Sequence, residues 1–402
     1  MIKLAWRNIW RNKRRALITM ASVFFAVFFC TVALSFAEGV WDKKIANTLR
    51  TQTGHIQIHG KGYWDDKTTD NFMTMDAKTL AHLERIENIE NVSPRLETFA
   101  MASFGLSSKG IAVCGISPRQ EAAKSNLPVR LVKGQYLSET DNGILIGEGL
   151  GRYLKVGIDD TLALIGQGYH GVSAAGLFPV RGILRLMHSE MDNGMAYIAL
   201  PAAQQLIDMP DGYSGILIAV KNNNRLDETI RAVKDAVDTQ RLDVYPWRFT
   251  MERLLQTSQS DKAFTKIILF VLYLIAGFGI LGTVIMLTNE RKRELGMMIS
   301  LGMQRTRLAT TVTLELGMMT FSGVVLALLL GIAVTHWYAL HPVALTGEMV
   351  QTYIAYGMEP LMPTSTALAI FVNPVVTVLI LTALAAIYPV TKIMKLKIMD
   401  KL

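Results

Sequence analysis

The sequence predicts a membrane protein with four transmembrane α-helices and a large α/β extracytoplasmic domain inserted between helices 1 and 2. Three observations carry that fold class. Half of the 402 residues are apolar and only 18% are charged, against about 25% charged in ordinary soluble domains. Four apolar runs each reach the roughly 20 residues that a bilayer core demands. Between the first and second of these runs, over 38–262, the pattern changes to short strand-like segments broken by turn residues.

The runs justify themselves in order. Ala16–Ala37 is 22 residues without a charge, and Ile267–Leu287 is 21. Leu308–Thr335 is longer and holds one acid, Glu315; the fourth span lies within the uncharged stretch Leu361–Thr391. The first run ends in Ser35-Phe36-Ala37, which resembles a signal-peptidase site, but secretory apolar regions run only about 7–15 residues. An uncleaved anchor is therefore expected.

Charge asymmetry orients the spans. The leader carries Lys3, Arg7, Arg11, Lys13, Arg14 and Arg15 with no acid. The segment 288–307 carries Arg291, Lys292, Arg293, Arg305 and Arg307; the tail carries Lys392, Lys395, Lys397 and Lys401; and 336–365 carries no Lys or Arg. The expected organisation is a cytoplasmic basic pre-helix (1–15), a first span (16–37) and an extracytoplasmic, periplasmic domain (38–262) with a strand-rich insert at about 119–213. A second span (263–287), a cytoplasmic loop (288–307), a third span (308–335), an extracytoplasmic loop (336–365), a fourth span (366–390) and a cytoplasmic tail (391–402) follow. Both termini are expected in the cytoplasm of a multi-pass inner-membrane protein. The net charge of +8 then faces anionic lipid headgroups, and no nucleic-acid partner is needed to explain it.

Inside 38–262, strands are expected near 54–59, 95–105, 110–116, 143–147, 160–166, 177–185, 196–199, 214–220 and 243–249. Helices are expected at 76–88 and 226–239, with N-caps from Asp76 and the Asn223/Asn224 region. Strand–helix–strand–strand followed, after the insert, by strand–helix–strand suggests a split βαβ sandwich.

Catalytic chemistry finds little support. No G-x-x-x-x-G-K-[ST] phosphate loop occurs. Gly277, Gly279 and Gly282 spell G-x-G-x-x-G inside an apolar span, where small residues serve helix packing. Gly147–Gly151 reads as a structural turn. His55 and His59, on a strand, lie roughly 13 Å apart and do not suggest a metal site. Cys30 and Cys114 fall in different regions, so no intramolecular disulfide is expected. No catalytic or metal-binding residue and no cofactor are expected on this chain.

Two polar features remain. Glu315 sits roughly 10 Å into the third span at 1.5 Å per residue, a depth at which acids face a bundle interior or a partner; Arg305 or Arg307 are its expected ion-pair partners. The charged segment 290–302 reads as a two-faced helix. Leu295, Met298, Ile299 and Gly302 fall on one side; Glu290, Arg293, Glu294, Met297 and Leu301 fall on the other. The second face mixes charge with two apolar knobs and suits a groove on a cytoplasmic partner.

The segment "ERKRELGMMISLGMQRTRL" resembles the pattern E-R-x-x-E-[IL]-G-x-x-x-x-[LI]-G of FtsX-like ABC permeases, with Glu290, Arg291, Glu294, Leu295, Gly296, Leu301 and Gly302 in register. The ending, with Tyr388, Pro389 and Lys392, is similar to that family's Y-P-x-x-[KR] segment. The leader, with Trp6, Arg7, Asn8, Arg11, Asn12, Lys13 and Arg14, resembles its basic pre-helix, and "GILIGEGLGRYLKVGIDDTLALIG" resembles its ectodomain turn. The likeness is to the FtsX-like, MacB-type ABC transporter permeases, nearest to the lipoprotein-release (LolC/LolE-like) group.

That resemblance implies a permease subunit pairing with a second permease, homo- or heteromeric, with membrane lipid and with a cytoplasmic ABC ATPase dimer that holds ATP and Mg. The loop helix would be the ATPase-coupling element, through Glu290, Arg291, Arg293, Glu294, Gly296, Met297, Leu301 and Gly302. Its work would move the periplasmic domain to extract or export an amphiphile such as a lipoprotein, and the insert would offer a surface to a periplasmic carrier or outer-membrane partner. The alternatives within the family are MacB-like efflux of drugs or peptides and FtsX-like mechanotransmission to cell-wall hydrolases.

Overall fold

The first three apolar runs become helices that extend past both of their ends, and the fourth helix begins inside its run, at Leu368. The computed structural model describes residues 2–11, 13–125, 127–186, 189–355 and 361–395. The chain divides into two compact units: residues 1–43, 257–344 and 362–402 form the membrane unit, and residues 44–256 and 345–361 form the second. Among the described residues, four helices are long and apolar enough to cross a membrane: Ala16–Thr53, Glu252–Glu290, Arg305–Leu340 and Leu368–Met394.

In the membrane unit the helices pack through a shared apolar seam in which Val23, Val27, Ile280, Val284, Leu316, Ala327 and Val378 are buried. Hydroxyls within the helices bond back to the carbonyl four residues earlier, as at Thr288, Thr320, Thr335 and Thr382. This gives these four buried hydroxyls a partner where lipid supplies none. Close approach rests on glycines the sequence reading did not single out. A Cβ on Gly323 would lie 2.8 Å from the Met20 carbonyl, and one on Gly39 would lie 2.4 Å from that of Pro363.

An extended strap at Pro363–Ser365 is pinned to two helices. Ser365 N donates to Ser35 O at 2.9 Å, Ser35 Oγ donates to Ser365 O at 2.6 Å, and Thr364 Oγ1 donates to Thr335 O at 2.7 Å. Lys262 and Glu38, 2.6 Å apart, tie the first helix to the second beyond their apolar runs.

The glycine expectation needs correction. Gly277 makes only an ordinary contact with Leu381, and a Cβ on Gly279 or Gly282 would meet nothing within 4 Å among the described residues. These two glycines therefore serve no helix packing within the described chain.

The second unit is built on one ten-stranded sheet. Its strands are β1 (Ile56–Gly60), β2 (Ile89–Phe104), β3 (Ser107–Ile116), β4 (Leu131–Gly134), β5 (Ile144–Gly147), β6 (Thr161–Gln167), β7 (Ser173–Leu184), β8 (Met195–Ala199), β9 (Gly215–Val220) and β10 (Leu242–Pro246). The order β10-β1-β9-β2 is entirely antiparallel. Helices Ala77–Glu84 and Leu226–Ala236 join its strands as β1–helix–β2 and β9–helix–β10, the arrangement of a split βαβ sandwich. Ile56, Ile58, Ile216, Ile218, Leu83 and Val233 form its core.

The insert closes on itself. Ladders β2–β3, β3–β8, β8–β5, β5–β7, β7–β6 and β6–β2 complete a ring, so each of those strands is paired on both sides over part of its length. Alternate residues fill it, among them Ile111, Val113, Ile144, Ile146, Leu162, Leu164 and Ile198. The 16-residue β2 makes this possible: its first half pairs with β9 and its second half with β6.

Local expectations shift at the ends. The strand expected over 243–249 stops at Pro246, and Trp247–Thr250 turns helically. The cap near Asn223/Asn224 is Asn222, whose side chain accepts from Asn224 N. The Gly147–Gly151 turn is structural: Asp192 Oδ2 accepts from Gly149 N at 2.8 Å, and its Oδ1 accepts from Glu148 N at 3.2 Å. An internal carboxylate thus occupies the amides that a phosphate would need.

Where the first long helix ends, it is anchored by a buried arginine. The last turn of that helix, Leu49–Thr53, is π-helical. Arg95 on β2 donates to Gln52 O at 3.0 Å and Thr51 O at 3.1 Å, and its guanidinium meets Glu121 Oε1 at 2.8 Å. Both charged side chains are buried. Opposite this, Trp247 N donates to His55 O at 2.9 Å, and β1 pairs with β10 along its whole length. The strands that receive the first helix and release the second are therefore neighbours.

Two outcomes follow from this packing. Glu121→Ala strands the Arg95 charge, so it is expected to destabilise the domain by about 3–5 kcal/mol, read as a lowered thermal midpoint, whereas Glu84→Ala on an exposed helix position leaves the midpoint unchanged. Gly323→Leu forces the first and third helices apart at a cost of about 1–3 kcal/mol; loss of detergent-stable protein is the readout, and Gly279→Leu is expected to be tolerated.

Candidate functional site

The segment between the second and third long helices folds as a short helix, Lys292–Ser300. It is shorter than the 290–302 reading. Glu290 belongs to the end of the preceding helix, and Gly302 lies beyond the Ser300 terminus. Gly302 has φ +93°, and with it the turn Leu301–Gly302 reverses the chain toward the third helix; a left-handed position of this kind favours glycine. Gly302 is exposed and does not join the apolar face.

That apolar face is otherwise as the spacing indicates. Leu295 and Ile299 are buried against Leu308, Ala309 and Ile393, with Met298 packed beside them. On the opposite side Glu290, Arg293, Met297 and Leu301 are exposed, at steps of three and four residues. Met297 is 63% exposed and Leu301 86%. The inward face is anchored, so the outward one presents two bare apolar side chains between charges. Gly296 is half-buried midway along the helix.

A polar chain fixes this helix to the bundle. Glu315 in the third helix pairs with Arg291, the residue that precedes the short helix. Its other oxygen accepts from Asn8 Nδ2 at 2.6 Å. Arg291 Nε also lies 3.8 Å from Glu294, and Glu294 meets Arg11 of the leader helix at 2.5 Å. The side chains of Arg291 and Glu315 are only 11% and 7% exposed, whereas Arg11 is exposed and Glu294 half-buried.

These contacts correct the sequence reading in two ways. The partner of Glu315 is Arg291 with Asn8, in place of Arg305 or Arg307; Arg305 instead donates to Met394 O at 2.9 Å. Arg291, grouped by motif with the outward residues, points inward and holds the helix from behind. Glu294 is half-buried and divides its carboxylate between Arg11 and Arg291.

Asn8 was visible as part of the basic leader motif, but nothing in its spacing pointed to Glu315. The Glu38–Lys262 pair carried a clearer signal, since each charge lies just outside an apolar run. Asn12 and the C-terminal lysines Lys397 and Lys401 lie outside the described residues. Among the described residues no group of three or more His, Cys, Asp or Glu side chains is placed to hold a metal. Cys30 and Cys114 are both buried and unbridged.

Comparison with known proteins places this arrangement. Residues 16–236 match the family model of the MacB-like periplasmic core domain, and residues 266–398 match that of the FtsX-like permease C-terminal region. The lipoprotein-releasing system transmembrane protein LolC of Neisseria meningitidis serogroup B is 23% identical over 309 residues, which cover 73% of this chain and 71% of LolC. LolE of Haemophilus influenzae is 21% identical over 356 residues, covering 83% and 82%. The macrolide export ATP-binding/permease protein MacB of Pasteurella multocida is 21% identical over 351 residues, covering 82% of this chain but 52% of MacB. The chain thus spans about half the length of that fused relative. With one model taking in the strand-rich domain and the other the helices around the short charged segment, the chain belongs to the family of ABC transporter permeases that join a MacB-like periplasmic core domain to an FtsX-like permease region.

Proposed function

We propose that this permease takes mechanical work from a separate cytoplasmic ABC ATPase dimer through the helix Lys292–Ser300 and delivers it to its periplasmic domain. The observation that carries the reading is the exposed stripe Glu290, Arg293, Met297 and Leu301, backed by buried Leu295 and Ile299. Apolar knobs set among charges are what a groove-binding helix offers its partner. ATP and Mg belong to that ATPase in this reading, and no catalytic residue is assigned to this chain.

Positive charge on the leader, the loop and the tail supports a topology with both termini and the short helix in the cytoplasm of an inner-membrane protein. The first and second long helices then carry motion across the bilayer. Chain continuity supports this role: the first leads through Leu49–Thr53 into β1, and β10 leads through Trp247–Thr250 into the second. Because β1 and β10 are hydrogen-bonded neighbours, displacing either helix shears one ladder.

The cargo we propose is an amphiphile of the lipoprotein class, drawn from the membrane by a pair of permeases. Support comes from the match to LolC and LolE over most of their lengths.

Three measurements test these statements. Met297→Asp and Leu301→Asp are each expected to weaken co-purification with the ATPase at least tenfold, since an interface hot spot of about 2 kcal/mol corresponds to roughly thirtyfold. Full retention in both variants would remove the coupling role. For the supporting network, Glu315→Ala takes away the buried partner of Arg291 and leaves it only the 3.8 Å contact with Glu294, a change expected to cost about 3 kcal/mol. The double change Arg291→Gln with Glu315→Gln is expected to melt at a higher temperature than Glu315→Ala alone. For the cargo, the complex arrested with a hydrolysis-deficient ATPase is expected to retain an acylated protein detectable by mass spectrometry; recovery of a soluble drug-sized compound in its place would reassign the cargo to efflux.

A further inference from the structure

The split βαβ part of the periplasmic domain covers only one face of its sheet with helices. Along β1, β9, β2, β3 and β8, adjacent in that order, alternate residues point to the other face. That face carries Gln57 and His59, then Gly215, then Arg95, then Cys114, then Met195 and Tyr197. Gln57, His59 and Arg95 are buried although no helix of the sandwich lies over them. Thr51, Gln52 and Glu121 cover Arg95, and beside them this face borders a cavity of about 570 Å³, within the range of about 300–1,000 Å³ that accepts drug-sized ligands.

Its walls combine aromatic and thioether side chains with hydroxyls and amides, among them Thr68, Thr69, Gln57 and Gln167. Tyr63, Trp64 and Phe72 stand on one side and Met191 and Met195 on the other, while the turn Thr51–Thr53 and Thr250 close a third. The aromatic wall is preset: His59 stacks on Tyr63 at 4.8 Å, and Tyr63 packs against Phe72 at 5.8 Å. His59 is held by Ser214 O at 2.7 Å and Gln57 Oε1 at 2.9 Å. Gly215 lets the imidazole lie flat, since a Cβ there would fall 2.5 Å from its Cε1.

The charge lining the cavity cancels. Arg95 pairs with buried Glu121 at 2.8 Å and lies 3.8 Å from Glu97, and Lys67 brings the sum of these four charges to zero. Lys67 lies over the Trp64 ring at 4.3 Å. Burial holds the His59 imidazole below its ordinary pKa, against the upward pull of the Ser214 carbonyl and Glu97. In sum no charge is left over, and an uncharged ligand would meet rings, thioethers, hydroxyls and amides.

We infer that this cavity is a binding site for a net-neutral small amphiphile whose aromatic or acyl part lies between the Tyr63–Phe72 wall and Met191–Met195. Binding there does not depend on the coupling role of the short helix and needs neither ATP nor a partner subunit.

The test uses the full chain in nanodiscs and a neutral photoprobe, the hexyl ether of 4-hydroxybenzophenone, which reacts preferentially at methionine; 4-benzoylbenzoate is the anionic control. Peptide mapping is expected to find the neutral adduct at Met191 or Met195 and the anionic one much less. Gln167→Trp, at an exposed position on the cavity wall, is expected to lower the Met191 adduct about tenfold, as is Met195→Trp, each loss equivalent to about 1.4 kcal/mol. Adducts confined to the membrane helices, equal labelling by the two probes, or unchanged Met191 labelling in both variants would each overturn the assignment.

Discussion

A carboxylate inside an apolar helix bundle has to be paired, and much of the membrane unit's polar architecture follows from that requirement. Glu315 finds Arg291 from the loop and Asn8 from the leader. Burying an ion is costly, and breaking its pair strands the other charge. The pair therefore fixes where the short helix begins. With Arg291 drawn inward and Leu295 and Ile299 packed against the third and fourth helices, the rotation of Lys292–Ser300 is set. Met297 and Leu301 face outward as a consequence. Neither apolar exposure nor the ion pair alone would orient the helix; the two act at opposite ends of the same face.

The same logic recurs in the periplasmic domain, with Arg95 in the central role. Its guanidinium gathers the carbonyls of Thr51 and Gln52 and the carboxylate of Glu121. A turn that would otherwise leave carbonyls unsatisfied at a helix end becomes a rigid joint to β2. That strand belongs to both halves of the domain, pairing with β9 near Arg95 and with β6 farther along. Displacement of the joint would load a strand that the split βαβ sandwich and the closed ring share. The cavity wall includes this same turn, so the proposed ligand site and the proposed route of motion use common residues.

Charge compensation thus serves different ends in the two units. In the membrane unit it positions the exposed stripe Glu290, Arg293, Met297 and Leu301. In the periplasmic domain it neutralises Arg95 beneath a cavity and leaves a lining suited to uncharged groups. The glycine-rich turn after β5 shows the principle once more: its amides are already taken by Asp192, and a motif that can cradle an anion is here closed by the protein's own carboxylate.

Much of this was legible in the amino-acid order. Uninterrupted apolar length marked the four helices, because a bilayer core imposes a minimum length on any run that spans it. Period-two patterning marked most of the strands, and the steps of three and four between Glu290, Arg293, Met297 and Leu301 marked an outward stripe, because helix geometry places such residues on one face. Contacts between distant segments were a different matter. Asn8 and Glu315 are 307 positions apart; the insert closes through pairing of β2 with β6; and Gly323, not Gly279 or Gly282, admits a neighbouring backbone. Local spacing determines which face a side chain takes on its own helix or strand. Which neighbour that face meets is decided only when the chain is packed, since burial, close approach and charge pairing depend on positions that sequence separation does not specify.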